Sequence, residues 1–331
     1  MEEAIRDLPT AGNLRLDFYD RGRLATWVRD HPGLGVWVRQ KIGRPLTGWR
    51  PYGAWADTSE ETSGKYLSDD KLRIHTGAMP SPDGVPALAG LQQIRDLLRS
   101  PGTVARLVGL SGVGKTRLVQ ALFEEGVGDQ NLEPSLAFYT NIGDSPNPLA
   151  VELASQLIAG KDRAILVIDN CPLDLHRRLS QVCRAPGSTV SVITVEYDFR
   201  EDLPEGTEVF RLDTSSPELI EKLIRSRFKD VSHTDARTIA KFSDGNARCY
   251  RSCGNCGQDE TIEGLNDEDL LQRLIHQRHA PDKSLELAAQ ACSLLYAFDG
   301  EDNRNGSELA RLAALVEQSP REVYRHVADL L

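Results

Sequence analysis

The clearest chemistry in this chain lies in eight residues, Gly109-Leu110-Ser111-Gly112-Val113-Gly114-Lys115-Thr116, which fit the pattern G-x-x-x-x-G-K-[ST]. Glycines in such a loop let successive backbone N–H groups turn inward around an anion. A helix opening at Lys115 aims its positive end at the same place. Lys115 is expected to reach the β- and γ-phosphates of a nucleotide, and Thr116 to set its hydroxyl on Mg²⁺. A second carrier of chemistry follows 54 positions after Lys115, where five apolar residues, Ala164 to Ile168, end on Asp169. A buried parallel strand that delivers a carboxylate at its C-terminal end supplies the acid needed to hold a hydrated metal ion. The expected binding set is Gly109, Ser111, Gly112, Val113, Gly114, Lys115, Thr116 and Arg117, with ATP or ADP and Mg²⁺ as the cofactors and with Thr116 and Asp169 as the metal residues. The alternatives are a plain glycine turn and an acid that merely forms a turn.

The elements that must position these groups are legible around them. Val104 to Val108 read as a mostly apolar strand entering the loop, and Leu118, Val119, Leu122 and Phe123 share one face of the helix leaving it. Leu88–Arg99 is an amphipathic helix ahead of that strand. Further strands are predicted at Ser135–Tyr139, Thr189–Val195 and Thr207–Leu212. Helices are predicted at Ala150–Ile158, Leu173–Cys183, Pro217–Phe228 and Asp235–Phe242. Alternating strands and helices with the loop after the first strand predict an α/β fold, a parallel sheet sandwiched by helices.

Composition narrows the class. The chain has 331 residues, 40% apolar and 27% charged, with a net charge of −10. That size suggests two or three domains with ample core. No apolar run approaches the roughly 18 residues of a membrane span, and the first 30 residues are charged throughout, without a secretory apolar region. A cytoplasmic location is the expectation. The acidic balance argues against general nucleic-acid coating, but residues 21–50 carry seven basic residues against Asp30 alone, and all four tryptophans fall at positions 27 to 55. Such a stretch is either a nucleic-acid surface or a small core whose arginines cover apolar rings, and the second is preferred. Before it, residues 13–19 alternate as a half-buried strand, and short helices are predicted at Arg23–Asp30 and Val36–Ile42. Residues 56–88 are polar and rich in Gly, Pro and Ser, so they read as a linker.

Two resemblances refine these expectations. The stretch from Leu16 to Gly33, LDFYDRGRLATWVRDHPG, resembles the last strand and helix of Mrr-like restriction endonuclease domains over about 30 residues. No D…E-x-K constellation stands in residues 1–60, so nuclease activity is not expected. The loop, Asp169, the strand ending before Arg200, and Phe242-Ser243-Asp244-Gly245-Asn246-Ala247-Arg248 are similar to the STAND class of AAA-related signalling ATPases, over residues 75–331. That resemblance implies a residue after the fourth strand that senses the γ-phosphate, where Glu196 and Arg200 stand. It also implies that Asn246 lies near adenine and ribose, that His75-Thr76-Gly77 covers the base, and that copies self-associate on binding ATP. It further implies effector and sensor domains outside this chain and a role in bacterial defence against phage. Two departures stand out: Asn170 replaces the second acid expected to polarise water, and the Gly-x-Pro of the lid is missing. Slow hydrolysis is therefore expected, with Glu196 as the substitute for orienting water. The expected layout is an effector-domain remnant at 1–55, a linker at 56–88, an NTPase domain at 89–213, a helical lid at 214–280 and a partial winged helix at 281–331.

Cys249, Cys253 and Cys256 form C-x3-C-x2-C, a spacing suited to an iron–sulfur cluster or to three zinc ligands, but no strand precedes it. One set of codons for CYRSCGNC, read a base later, specifies Ala, Ile, Ala, Leu, Ala, Ala and Thr, so a compensated frameshift is the alternative reading. Cys171, Cys183 and Cys292 are expected to be buried thiols. Further helices are predicted at Asp267–Arg278 and Leu285–Phe298. At the C-terminal end, Ser307–Val316 and Arg321–Leu331 read as a helix-turn-helix pair, with Ser319, Pro320 and Glu322 supplying a capping box. Arg321 and Arg325 would suit a DNA reader. Acidic Glu308, Glu317, Glu322 and Asp329 favour a module packed against the ATPase instead.

Overall fold

The structure is a computed structural model and describes residues 20–58, 66–77, 84–196, 207–228, 231–246, 282–295, 298–300, 302 and 304–330. It divides into two compact units, residues 1–214 and 215–331.

The first unit is built on one sheet. Its strands in chain order are β1 (Trp49–Pro51), β2 (Arg73–Thr76), β3 (Val85–Pro86), β4 (Val104–Val108), β5 (Ala137–Asn141), β6 (Ala164–Asp169), β7 (Val190–Glu196) and β8 (Glu208–Leu212). They lie in the order β1-β5-β6-β7-β4-β8-β2-β3. From β5 to β8 every pairing is parallel, whereas β1, β2 and β3 join antiparallel at the two margins. Helices α1 (Arg21–Asp30), α2 (Pro32–Lys41), α3 (Tyr52–Thr58), α4 (Ala87–Arg99), α5 (Lys115–Ala121), α6 (Ala150–Gly160) and α7 (Leu173–Cys183) complete the unit.

Strands β4, β6 and β7 are buried along their whole length and largely apolar, as cover on both faces requires. Side chains alternate across a strand. Ala105, Leu107, Ile165, Val167, Ile193 and Val195 therefore meet α4 and α5 on one face. Val104, Leu166, Ile168, Val190 and Val192 share the other with residues of α6 and α7. Helix α4 presents Leu91, Ile94 and Leu98 to the first core, and Arg95 stands in the same stripe with none of its surface exposed. Its guanidinium donates to the carbonyls of Ala121, Leu122, Val127 and Asp129 at 2.7, 2.9, 2.7 and 3.0 Å. Helix C-terminal carbonyls lack partners within the helix, and a buried arginine here fastens the far end of α5.

The margins differ from the expected layout. Residues 49–51 pair with Thr140, Tyr139 and Phe138 of β5. Trp49 and Trp55 are 4% and 2% exposed within the sheet's own cores. The Trp49 indole N–H donates to the Pro148 carbonyl at 2.8 Å. Residues 73–76 and 85–86, expected inside a linker, form the opposite margin. Both segments thus belong to the sheet, because their few apolar side chains are buried by it. Trp27 and Trp37 remain about half exposed on α1 and α2, so the expected small core of arginine-covered rings does not form there. The predicted strand at 13–19 lies outside the described residues.

The second unit contains α8 (Pro217–Arg227), α9 (His233–Phe242), α10 (Lys283–Cys292), α11 (Glu308–Leu315) and α12 (Pro320–Leu330). Ile220, Ile224, Ala236, Ile239 and Ala240 join α8 to α9, which open on Ser216 and Ser232 caps. Ala288, Leu309, Ala313 and Val323 form the core of α10 to α12. The capping box is present: Ser319 N–H donates to Glu322 Oε2 at 2.9 Å, and Glu322 N–H to Ser319 Oγ at 3.3 Å. The helix expected at Asp267–Arg278 lies outside the described residues. Among the described residues no helix is long and apolar enough to cross a membrane.

Candidate functional site

Strand β4 ends at Val108, and the chain turns through the glycine loop into α5. Gly109 has φ +155°, and a Cβ there would meet the Leu212 carbonyl oxygen at 2.7 Å, so only glycine fits between β4 and the end of β8. Val113 drops its side chain into the core at 2% exposure, which pins the loop. Gly114 caps α5 with φ +96°, and a Cβ there would meet no atom within 4 Å. Lys115 folds back, its ammonium donating to the carbonyls of Gly109 and Leu110 at 2.8 and 2.7 Å. Arg117, one turn in, pairs with Glu124 at 2.6 Å and lies over the Tyr66 ring.

The Thr116 hydroxyl donates to Asp169 Oδ2 at 2.9 Å. Asp169 is 8% exposed at the tip of β6 and accepts two further bonds, from Asn170 N–H at 3.0 Å and from the Tyr139 hydroxyl at 3.3 Å. Burial pushes its carboxyl above the usual range, although the three hydrogen bonds and the Lys115 charge pull it down. Burial first, and then the Asp169 charge, raise the Tyr139 phenol as well, so it stays protonated and able to donate. A hydroxyl and a carboxylate oxygen this close form a hard oxygen pair of the kind Mg²⁺ takes. The donor set therefore fits the ion.

Asn170, at the position of the absent second acid, has φ +52°, a conformation asparagine tolerates better than most residues. Its side-chain amide donates to Asn141 Oδ1 at 3.2 Å.

Glu196 is placed differently from Asp169. By strand alternation it points to the opposite face of the sheet, where Arg106 Nη2 donates to its Oε2 at 2.5 Å. The pair is buried beside His176 of α7, whose Nδ1 and Nε2 lie 2.7 and 3.0 Å from the Thr194 and Thr207 hydroxyls. Burial, with the Arg106 charge second, lowers the His176 pKa to about 4. Lys115, Thr116 and Asp169 are thus brought together, and Glu196 is not. Arg200 lies outside the described residues. Asn246 belongs to the second unit, where its N–H donates to the Ser243 carbonyl at 2.7 Å.

His75 is buried on β2, and its Nε2 lies 2.7 Å from Asp213 Oδ2. Cys171 and Cys183 are buried thiols, Cys183 pushed up to about 12 by burial, whereas Cys292 is partly exposed. The cysteines at 249–256 lie outside the described residues. Among the described residues no group of three or more His, Cys, Asp or Glu is placed to hold a metal ion.

Sequence reasoning missed three residues of the neighbourhood. Tyr139 stands in a short alternating strand and shows no mark of its partner 30 residues away. Arg106 interrupts an otherwise apolar run, which was the available signal. Arg95 falls four residues after Leu91 on an apolar stripe, a signal of the same kind.

No protein-family model matches the sequence, and a search of curated proteins finds no match. Solved structures with a similar course of chain include a signal transduction ATPase with numerous domains (STAND) with a tetratricopeptide repeat sensor from Pyrococcus horikoshii. It is 15% identical with a TM-score of 0.37, over 83% of this chain and 41% of that one. The AAA domain of FIGL-1 in complex with ADP is 15% identical with a TM-score of 0.36, over 66% and 91%. The replication initiator DnaA bound to AMPPCP and single-stranded DNA is 12% identical with a TM-score of 0.34, over 72% and 85%. The chain spans about two fifths of the length of the first of these, and at such identities the likenesses carry nothing about activity. By its mostly parallel sheet flanked by helices, and by the glycine loop between β4 and α5, the chain has the α/β fold of P-loop NTPases.

Proposed function

We propose that the chain binds ATP or ADP with Mg²⁺ in the loop Gly109–Thr116 and acts as a signalling switch, coupling nucleotide state to self-association and to the activation of an effector in antiviral defence. The observation that carries the binding part is the pairing of Thr116 with Asp169 at 2.9 Å beside the glycine loop that opens α5. The loop amides and the start of α5 would receive the phosphates, and Lys115 would leave the carbonyls of Gly109 and Leu110 for the β- and γ-phosphates. Thr116 and Asp169 would hold Mg²⁺. Bound there, the ion would neutralise phosphate charge and orient the phosphate chain. The signalling and defence parts rest on the STAND resemblance, as does a winged-helix reading of α10 to α12.

Hydrolysis is expected to be slow, because Asn170 is not a base and its amide is tied to Asn141. Glu196, the expected substitute for orienting water, is paired with Arg106 on the opposite face of the sheet from Asp169 and would have to leave that pair to take the role. The test is calorimetric titration of Mg·ATP and Mg·ADP into wild type and Lys115→Ala. A loss of about tenfold or more is expected for the variant, and equal affinities would remove the site.

A further inference from the structure

The Asp169 carboxylate is reached by a hydroxyl on each side, from Thr116 on α5 and from Tyr139 on β5, both on the same oxygen. Thr116 belongs to the loop motif. Tyr139 does not, and its ring is not free to turn. Trp55 of α3 lies flat on it, with ring centroids 4.3 Å apart and planes inclined by 7°. Trp55 is 2% exposed and Tyr139 6%. Tyr52 closes the group: its ring meets Trp55 edge-on at 6.1 Å and Phe123 at 5.6 Å, and its hydroxyl lies 3.5 Å from the Gln120 carbonyl on α5. Buried and half-buried rings thus run from α3 to the carboxylate and, separately, from α3 to the helix that follows the loop. Segment 49–58 is itself fixed to the sheet through β1, whose residues pair with Phe138, Tyr139 and Thr140 of β5.

We propose that Tyr139 is a positioning residue for Asp169, and that Trp55, by holding the Tyr139 ring, makes the segment β1–α3 a control on the divalent-cation affinity of the nucleotide site. The inference rests on the proposed binding function and deepens it. A ring stacked this closely cannot swing about its Cα–Cβ bond without breaking the contact, and that swing is what would carry the phenol oxygen away from Asp169. The place of the phenol oxygen is therefore held from α3. Withdrawal of Trp55 lets the ring swing away, and among the described residues Asp169 then keeps the Thr116 hydroxyl and its neighbour's N–H to aim it. The nucleotide itself is untouched by this change, because its phosphates are received by the loop. What changes is the gain in affinity that Mg²⁺ confers.

The experiment measures ADP binding by calorimetry with and without Mg²⁺ in wild type, Tyr139→Phe, Trp55→Ala and Trp55→Phe. Tyr139→Phe removes one oxygen and keeps the stack. It is expected to lower the Mg²⁺-dependent gain by about three- to tenfold, as one hydrogen bond to a carboxylate allows. Metal-free affinity should stay unchanged. Trp55→Ala should match it and Trp55→Phe restore the wild-type gain, because a phenyl ring still stacks. A second readout uses protein with tryptophan only at position 55, whose emission should shift on adding Mg·ADP and fail to shift once Tyr139 is phenylalanine. If wild type binds ADP with a Mg²⁺-dependent gain and Tyr139→Phe has the same gain, the positioning role is overturned while the binding function stands. Should wild type bind no ADP, both fall together. Should Trp55→Ala lose metal-free and metal-bound affinity equally, α3 supports the fold and does not control the cation.

Discussion

Neighbouring strands β6 and β7 each end on a buried carboxylate, and the fold treats the two in opposite ways. Glu196 turns to the face under α7 and is met there by a guanidinium carried on β4. Asp169 turns to the face under α5 and is met, among the described residues, by two hydroxyls and a backbone N–H, with the Lys115 charge acting on it from nearby. Both acids are about equally hidden, at 9% and 8% exposure. Taking a carboxylate out of water costs several kcal/mol unless a positive charge or good donors offset it. For Glu196 the chain supplies that charge itself. For Asp169 the direct contacts are neutral, and the burial still pushes its carboxyl up. The lesson is that a buried acid is informative by what surrounds it: one is matched by a charge of the chain's own, and the other is met by neutral donors alone.

That contrast can be broken by substitution. The largest effect is expected at the matched tip. Glu196→Ala leaves Arg106 buried without its carboxylate and should lower unfolding free energy in denaturant titrations by about 3–5 kcal/mol. Adding Arg106→Leu should recover most of the loss. If the single variant is neutral, the pair is not what holds that face.

Next in size is the histidine beside the pair. His176 is neutral in the folded protein, with a pKa lowered from 6.5 to about 4. As pH falls through that window, the unfolded chain takes up a proton that the folded chain refuses, so unfolding is favoured. The contribution present above pH 6.5 should shrink by about 2–3 kcal/mol as pH approaches 4, and His176→Gln should flatten that part of the profile. Identical profiles would show that the imidazole takes its proton without unfolding.

The smallest effect, with the opposite sign, is expected at the other tip. Asp169→Asn removes a charge that burial disfavours and should slightly raise the stability of the nucleotide-free protein near neutral pH, as read in denaturant titrations. A raised carboxyl pKa makes this gain vanish as pH falls through it, because the wild-type acid is then neutral too. A loss of stability at pH 7 would place Asp169 in the scaffold alongside Glu196.

The sequence made the centre of this arrangement legible and hid its margins. An apolar run, a glycine loop and an amphipathic helix marked β4 to α5, and the acid ending Ala164–Asp169 stood out because five apolar residues precede it. Strands β1, β2 and β3 have two to four residues each, too few to show alternation. They were therefore hidden in what read as a remnant and a linker. Trp49 and Trp55 gave no sign that the core burying them lay about 90 residues further on. The STAND resemblance puts Glu196 near the γ-phosphate, and its place at the end of a strand is legible in the sequence. Its face is not, since that depends on register with Arg106, 90 positions earlier.

The clamp that Arg95 makes on four carbonyls has a mechanical consequence. Helix α5 is bolted at its trailing end, so it cannot slide along its axis when an anion docks against its leading turn. Adjustment then falls to the loop ahead of it, where the glycines at 112 and 114 already stand in left-handed backbone. Movement is thereby confined to a few residues, and the helix behind them behaves as a fixed post.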